Sequence, residues 1–153
     1  MSTSLSSLTP RSLFRGLAVA EAITWALLLS GMFLKYVTQT TELGVRVFGM
    51  VHGVVFIAYC LVTVLVAIDQ RWSIARTVLG LGAAVPPFAT LLFEAYADRR
   101  GLLGPEWLSR HDSPTAPQRA VCWLLRHHRL ATGLLALAVA GLTSVALLVG
   151  PPA

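Results

Sequence analysis

Long apolar segments constrain this chain more than any other feature of its sequence. An α-helix needs about 20 consecutive apolar residues to cross the hydrocarbon core of a bilayer. Segments of that length cover about 13–36, 45–68, 74–96 and 130–149. Because backbone polar groups in lipid must be satisfied within the chain, such segments are expected to be helical. The sequence therefore predicts an all-α membrane protein, a bundle of four transmembrane helices.

Composition also favours lipid over water as the surroundings of most side chains. Hydrophobic residues make up 56% of the 153 residues and charged residues 12%, which is about half the charged share of a soluble domain. The formal net charge is +5, but the basic residues flank apolar segments, as they do in membrane proteins. We expect the lipid bilayer as a partner and no nucleic acid. A homo-oligomer or a membrane-protein partner stays open.

The chain divides into a membrane core and a C-terminal extension. Residues 1–12 are rich in Ser and Thr and are predicted to be a disordered tail. Residues 13–100 hold the first three helices, with Trp72 at the depth of an interfacial anchor. Residues 101–119 are predicted to be a polar, proline-broken loop. Residues 120–150 are a basic lead-in and the fourth helix.

The distribution of Lys and Arg predicts the orientation. In a four-span bundle the N-terminal tail and the second connection share one side, and the first and third connections share the other. The first side has Arg11, Arg15, Arg71 and Arg76, and the second has Lys35, Arg46, Arg99, Arg100, Arg110, Arg119, Arg126 and Arg129. Cytoplasmic loops carry the excess of basic residues. We therefore expect a multi-pass protein of the cytoplasmic (inner) membrane with both termini outside.

An acidic residue lies inside the first span. A carboxyl group in lipid is costly unless it pairs, is neutralised or faces a polar cavity. Glu21 lies on the same face of the helix as Trp25 and Lys35, because their spacing follows the helical repeat. Since intramembrane carboxylates are commonly functional, Glu21 is a candidate functional residue. The alternative is a position near the interface, bonded to Arg15.

His52 is the ionisable residue of the second span. At helical spacing it shares a face with Phe56 and Tyr59. Because the second helix runs opposite to the first, Glu21 and His52 are expected at depths that differ by roughly 10–15 Å. A direct bond between their side chains is therefore not expected.

Two polar nodes follow from this difference in depth. The first joins Glu21 to Tyr59 or to a group of the third helix near the Pro86-Pro87 break. The second joins His52 to Lys35 or Tyr36. Together these candidates form a predicted polar seam: Glu21, Lys35, Tyr36, His52, Tyr59 and Thr90.

A glycine pair predicts close helix packing. Gly49 and Gly53 are four residues apart around His52, which allows another helix backbone to approach closely. We therefore predict that the second helix is the most tightly packed and that Gly53→Leu lowers stability.

A proline pair interrupts the third span. Pro86 and Pro87 each remove a backbone donor and clash with the preceding turn. A kink or short break is predicted here, and its freed carbonyls must face protein or a polar cavity. A binding site at such a break is one interpretation, and a simple kink is the other.

No motif specifies a metal, a cofactor or a reaction. Cys60 and Cys122 have no partner ligands at zinc spacing, and adjacent histidines such as His127 and His128 point to different faces of a helix. The sequence has neither an evident nucleophile–base pair nor a Gly-rich phosphate loop. We expect no catalytic residue, no metal and no cofactor.

The order and spacing of charged and aromatic residues resemble a known family. The similar positions are Phe14-Arg15, Glu21, Lys35-Tyr36, Gly49-x-x-His52-Gly53-x-x-Phe56, Tyr59, Trp72, Pro87-Phe88 and Phe93-Glu94. They resemble the small, largely actinobacterial integral membrane proteins grouped as domain of unknown function 3817, over about residues 13–100. The resemblance implies a membrane location and a three-helix core, and it implies no activity. Ala89 stands where a glycine is expected, and the chain from Gly101 onward lies outside the family pattern.

Three functions are compatible with these features. The leading hypothesis is a non-enzymatic membrane protein, with a polar seam that fixes packing or assembly, or an accessory membrane subunit. The second is permeation of protons or a small solute along the seam of Glu21 and His52. The third is an intramembrane enzyme that uses these two residues on a lipid or isoprenoid substrate. A water-accessible cavity at Glu21 would favour transport, and a dry, fully paired seam would favour a structural role.

Overall fold

The computed structural model describes residues 9–108 and 115–127, together with residues 130, 133, 136–138, 140, 141 and 144. Its helices are α1 (Pro10–Tyr36), α2 (Leu43–Asp69), α3 (Ile74–Gly82), α4 (Ala89–Arg99) and α5 (Ala116–Arg126). No strand occurs in the described part of the chain, and the all-helical prediction is confirmed.

Two of these helices, α1 and α2, are long and apolar enough to cross a membrane. Each has 27 residues, whereas α3 and α4 have 9 and 11 and fall short of the roughly 20 residues that a span requires. The predicted fourth span, about 130–149, lies mostly outside the described residues. A bundle of four spans therefore remains a prediction.

The start of α1 is set by a capping box. The Thr9 side chain accepts a hydrogen bond from the Ser12 backbone N–H, and the Ser12 hydroxyl oxygen accepts one from the Thr9 N–H. Pro10 occupies the first turn, where a missing N–H costs nothing. These contacts satisfy otherwise orphaned donors, so the helix begins three residues before the predicted boundary at 13.

The closest approach between α1 and α2 lies beside their short connection. A Cβ atom built on Gly31 would lie 2.7 Å from the backbone carbon of Gly44. By contrast, a Cβ atom on Gly53 would meet nothing within 4 Å, and one on Gly49 would meet only Leu28, at 3.7 Å. The prediction that Gly49 and Gly53 form the tight helix contact is wrong, because the short turn brings the helices together at Gly31 and Gly44 instead.

The predicted third helix, 74–96, is a hairpin. The chain leaves the helix after Gly82, passes Pro86-Pro87 in tight turns and enters α4 through Phe88, whose φ of 64° is left-handed. The ring of Trp72, just before α3, lies 5.8 Å from that of Phe93 in α4. Were residues 72–93 one helix, its ends would lie roughly 30 Å apart. The predicted break is therefore a reversal of the chain, and we call residues 73–99 the hairpin.

Each arm of the hairpin packs on a different long helix. In α3, Gly80 lies against Thr63 of α2. In α4, Phe93 contacts Phe14 of α1 with ring centroids 6.0 Å apart. Both arms run antiparallel to the helix they contact, so the hairpin starts and finishes beside the N-terminus of α1.

The segment after α4 folds back over this end, and we call residues 100–108 the cap. The Trp72 indole donates to the Leu102 carbonyl at 2.8 Å, and the Gly104 N–H donates to the Gln70 side chain at 3.1 Å. Leu103 and Trp107 are buried. Trp72 is 9% exposed, so it anchors the cap within the protein rather than lying at the membrane interface as predicted.

The hairpin changes the charge count at the two ends. The N-terminus of α1, the turn 70–73, the cap and α5 lie together, and we call this the cap end. It carries Arg11, Arg15, Arg71, Arg76, Arg99, Arg100 and Arg119, while the opposite end carries Lys35 and Arg46. The grouping of basic residues behind the predicted orientation is therefore wrong, because that grouping placed the turn 70–73 and the cap on opposite sides.

The Gly31–Gly44 contact is testable with a matched pair of variants. Gly31→Ala should lower the free energy of unfolding by about 1–3 kcal/mol relative to Gly53→Ala, because only the first Cβ meets backbone. Both changes gain the same helix propensity, about 1 kcal/mol, so their difference reports packing. Unfolding in mixed detergent micelles measures it. Equal stabilities of the two variants would contradict the close approach.

Candidate functional site

A buried polar seam joins α1, α2 and the hairpin midway along α1. We define it by four side chains: Glu21, Thr24, His52 and Thr90. Glu21 and Thr90 are 0% exposed, and Thr24 and His52 are 6% and 9% exposed. Glu21 follows Phe14 and Ala18 at helical spacing, so the face of α1 that packs on the hairpin also presents the carboxyl group.

The first contact of the seam links α1 to α4. The Thr90 hydroxyl oxygen lies 2.9 Å from Oε2 of Glu21 and 3.2 Å from the carbonyl oxygen of Ala18. A hydroxyl group has one hydrogen to donate. Both contacts are hydrogen bonds when Thr90 donates to Ala18 and a protonated Glu21 donates to Thr90. The geometry thus accommodates a neutral carboxyl group in a site that lacks solvent contact.

The second contact links α1 to α2 in the same way. The Thr24 hydroxyl oxygen lies 2.9 Å from the Glu21 carbonyl oxygen and 3.0 Å from Nδ1 of His52. If Thr24 donates to that carbonyl, then Nδ1 of His52 carries a proton and donates to Thr24. The Trp25 ring lies 4.6 Å from the imidazole and packs against it.

One polar atom of the seam lacks a hydrogen-bond partner among the described residues. It is Oε1 of Glu21, which is buried. Trp25, one turn along α1 from Glu21, has its indole N–H directed at the Ala84 carbonyl in the hairpin break, at a long 3.4 Å. A buried oxygen without a partner costs free energy when the group is charged, and it is also a place where a proton can be held.

The first of the two predicted nodes forms with one of its two alternative partners. Glu21 meets a group of the third segment near the proline break, and that group is Thr90. Tyr59 takes no part, because its hydroxyl donates to the Gly80 carbonyl at 3.0 Å. The alternative of a Glu21–Arg15 bond is not observed, since Arg15 lies 3.9 Å from Glu94.

The predicted second node does not form. Lys35 pairs with Glu42 at 3.5 Å and stacks on the exposed ring of Tyr36, far from His52. The helix register explains the difference: with Gly31 against Gly44, His52 lies level with Thr24, one turn from Glu21 rather than the predicted 10–15 Å. Glu21 and His52 therefore belong to one continuous seam, joined through Thr24.

Two polar groups of the fold were not singled out from the sequence. Thr24 has a sequence signal, because it lies three residues after Glu21 on the same side of α1. Asp69 is 0% exposed at the end of α2; its Oδ2 accepts from the Leu108 N–H at 3.1 Å, and its carbonyl accepts from Gln118 at 3.1 Å. These bonds tie the cap and α5 to α2.

The seam contains two ionisable side chains, Glu21 and His52, each in contact with a threonine. Within the described residues no group of three His, Cys, Asp or Glu side chains could hold a metal ion. Glu21 and His52 are linked through Thr24 and the helix backbone, without a nucleophile between them. The seam thus has two proton-binding groups, and each is held by a threonine.

Comparison with known proteins identifies relatives of the core. The family described as domain of unknown function (DUF3817) matches residues 11–99. A Streptomyces coelicolor protein named "Putative membrane protein SCO5905" is 56% identical over 91 residues, which cover 59% of this chain and 11% of that protein. The chain therefore spans only a small part of the length of this relative. No solved structure matches the chain.

The state of Glu21 can be tested by conservative substitution. Glu21→Gln should keep the stability within about 1 kcal/mol, because an amide N–H can donate to Thr90 as a protonated carboxyl group does. Glu21→Leu should cost about 1–3 kcal/mol, since it leaves the Thr90 oxygen unsatisfied. Chemical unfolding in detergent measures both. Infrared spectroscopy should show a protonated-carboxyl band at neutral pH that Glu21→Gln removes; a stable protein without this band would contradict a neutral Glu21.

Proposed function

We propose that this chain, which belongs to the family of domain of unknown function DUF3817, is a multi-pass protein of the cytoplasmic membrane. We propose further that its family domain is a non-enzymatic packing or assembly module, or an accessory membrane subunit. The observation that carries the proposal is the burial of the seam. None of its four side chains is more than 9% exposed, and its side-chain contacts join different helices.

Polar contacts of this kind suit a structural role in lipid. Apolar side chains gain little by leaving lipid for protein, so interhelical hydrogen bonds and close packing hold membrane helices together. The Thr90–Glu21 contact attaches the hairpin to α1, and the His52–Thr24 contact attaches α2 to α1. The three elements are thus fixed in one register.

The relative supports a modular role. The stretch similar to this chain makes up 11% of the Streptomyces coelicolor protein, so a domain of this kind also occurs within a much longer chain. A packing or assembly unit can be combined with other domains in one chain, because it acts through its contacts with neighbouring segments.

The surface of the hairpin supports a re-entrant position in the membrane. Its exposed apolar side chains include Ile74, Val85 and Leu92, which are 85%, 66% and 74% exposed. The nine residues of α3 rise roughly 13 Å, about half the thickness of the hydrocarbon core. We propose that the hairpin dips into the bilayer from the cap end and returns, and that the richer set of arginines keeps this end in the cytoplasm.

A second function is favoured by one observation. The unpartnered Oε1 of Glu21 provides a site where a proton could be taken up and passed on, with His52 one turn away through Thr24. Proton permeation along the seam is therefore the alternative proposal.

The two functions are separated by reconstitution. The full chain is reconstituted in proteoliposomes that contain a pH-sensitive dye. The proton flux should be no higher than in protein-free vesicles, both for the wild type and for Glu21→Gln. Native mass spectrometry should find the same oligomer and partners for wild type and Glu21→Gln, and altered assembly for Glu21→Leu. A proton flux that Glu21→Gln abolishes would replace the assembly proposal with permeation.

The re-entrant arrangement is tested with topology reporters. A reporter that is active only in the cytoplasm should be active both at the N-terminus and within 101–118, because the hairpin returns to the side from which it starts. At the C-terminus it should be silent if the segment 130–149 spans. Activity within 101–118 with silence at the N-terminus would mean that residues 74–96 cross the membrane after all.

A further inference from the structure

Several arginines of the cap end are exposed. Arg11 and Arg15 are paired with Asp98 and Glu94, and Arg71 donates to the side-chain oxygen of Gln118 at 3.4 Å. Among the described residues no carboxylate lies at ion-pair distance from the other four exposed arginines, which we call the arginine girdle: Arg76, Arg99, Arg100 and Arg119. They come from the start of α3, the end of α4 and α5.

Each member of the girdle stands beside exposed apolar surface. Arg76 lies one turn before Leu79, which is 57% exposed. Arg119 lies one turn before Trp123, which is 51% exposed. Long cationic side chains at the edge of an apolar surface reach toward the polar headgroups while their stems stay in the apolar zone.

The end of α4 shows the same arrangement. Leu92 is 74% exposed, and one turn later Tyr96 lies under the guanidinium group of Arg100, 5.7 Å from the ring centroid. An aromatic ring with a cation above it is typical of the membrane interface, where the ring lies at headgroup depth. Arg99 follows on the same helix end.

The opposite end of the molecule has fewer unpaired cations. Lys35 is paired with Glu42 at 3.5 Å, which leaves Arg46 as the exposed cation of the described residues there. Among the described residues, unpaired positive charge is therefore concentrated at the cap end.

We propose that the arginine girdle binds the phosphate groups of anionic phospholipids in the leaflet at the cap end. Each member of the girdle lies one turn from an exposed apolar or aromatic side chain, Leu79, Tyr96 or Trp123, which lipid tails would cover and a soluble acidic partner would leave in water. Arginine forks match phosphate oxygens bidentately, and basic side chains beside an anionic leaflet gain affinity from its surface charge. This inference rests on the proposed membrane position of the hairpin.

The test uses the full chain in mixed detergent micelles with equal phosphatidylglycerol and phosphatidylcholine. Native mass spectrometry should show preferential retention of phosphatidylglycerol. A variant with Arg76→Gln, Arg99→Gln, Arg100→Gln and Arg119→Gln should lose at least about tenfold of that preference, since one basic residue near an anionic surface contributes roughly fivefold. The matched control, Lys35→Gln with Arg46→Gln, should keep it.

The outcomes distinguish this inference from the proposed function. A chain that partitions into membranes but retains both lipids equally, or a girdle variant that keeps its preference, would overturn the girdle alone. A chain that leaves the membrane fraction on mild washing would overturn the membrane placement beneath it. If the fourfold variant does not fold, Arg76→Gln and Arg119→Gln are measured singly, and each should lose preference while the control does not.

Discussion

The arrangement of this protein depends on the hydrogen bonds that polar side chains form inside an apolar environment. Glu21 is the most demanding of these groups, because a carboxyl group in lipid is costly unless it is bonded or neutral. Thr90 meets that demand from the far side of a proline break, and the Ala18 carbonyl shares its hydroxyl group. The hairpin is therefore fastened to α1 at the buried carboxyl group of α1.

The hairpin in turn determines how the ends of the molecule are arranged. Pro86-Pro87 and the left-handed Phe88 reverse the chain, and Trp72 donates to Leu102 where the two arms meet again. Asp69 and Gln118 then attach the cap and α5 to the end of α2. As a result, the arginines of four separate segments lie at one end, and the opposite end is left with few cations.

The same contacts connect the two proposed properties of the protein. A seam that is buried and bonded between helices provides rigidity, and a cationic end beside an exposed apolar surface provides a fixed depth in the bilayer. Rigidity and a fixed depth in the bilayer are the properties expected of a membrane module that holds attached protein segments in place. A structural role does not explain the unpartnered oxygen of Glu21. Proton transfer would use this oxygen and is therefore the alternative proposal.

The sequence by itself determined the helical class, the two long apolar helices, the family and the break at the proline pair, and it singled out Glu21, His52 and Thr90, which are buried. These follow from local chemistry, because apolar segments, ionisable side chains and prolines affect the conformation and the surroundings of residues close to them in the sequence. Only the tertiary structure decided that the third segment reverses rather than crosses, that His52 meets Thr24 rather than Lys35, and that Gly31 and Gly44 make the close contact. Each of these depends on how the helices are aligned with one another. That alignment is set by packing along the whole interface, and it cannot be deduced from the periodicity of a single helix.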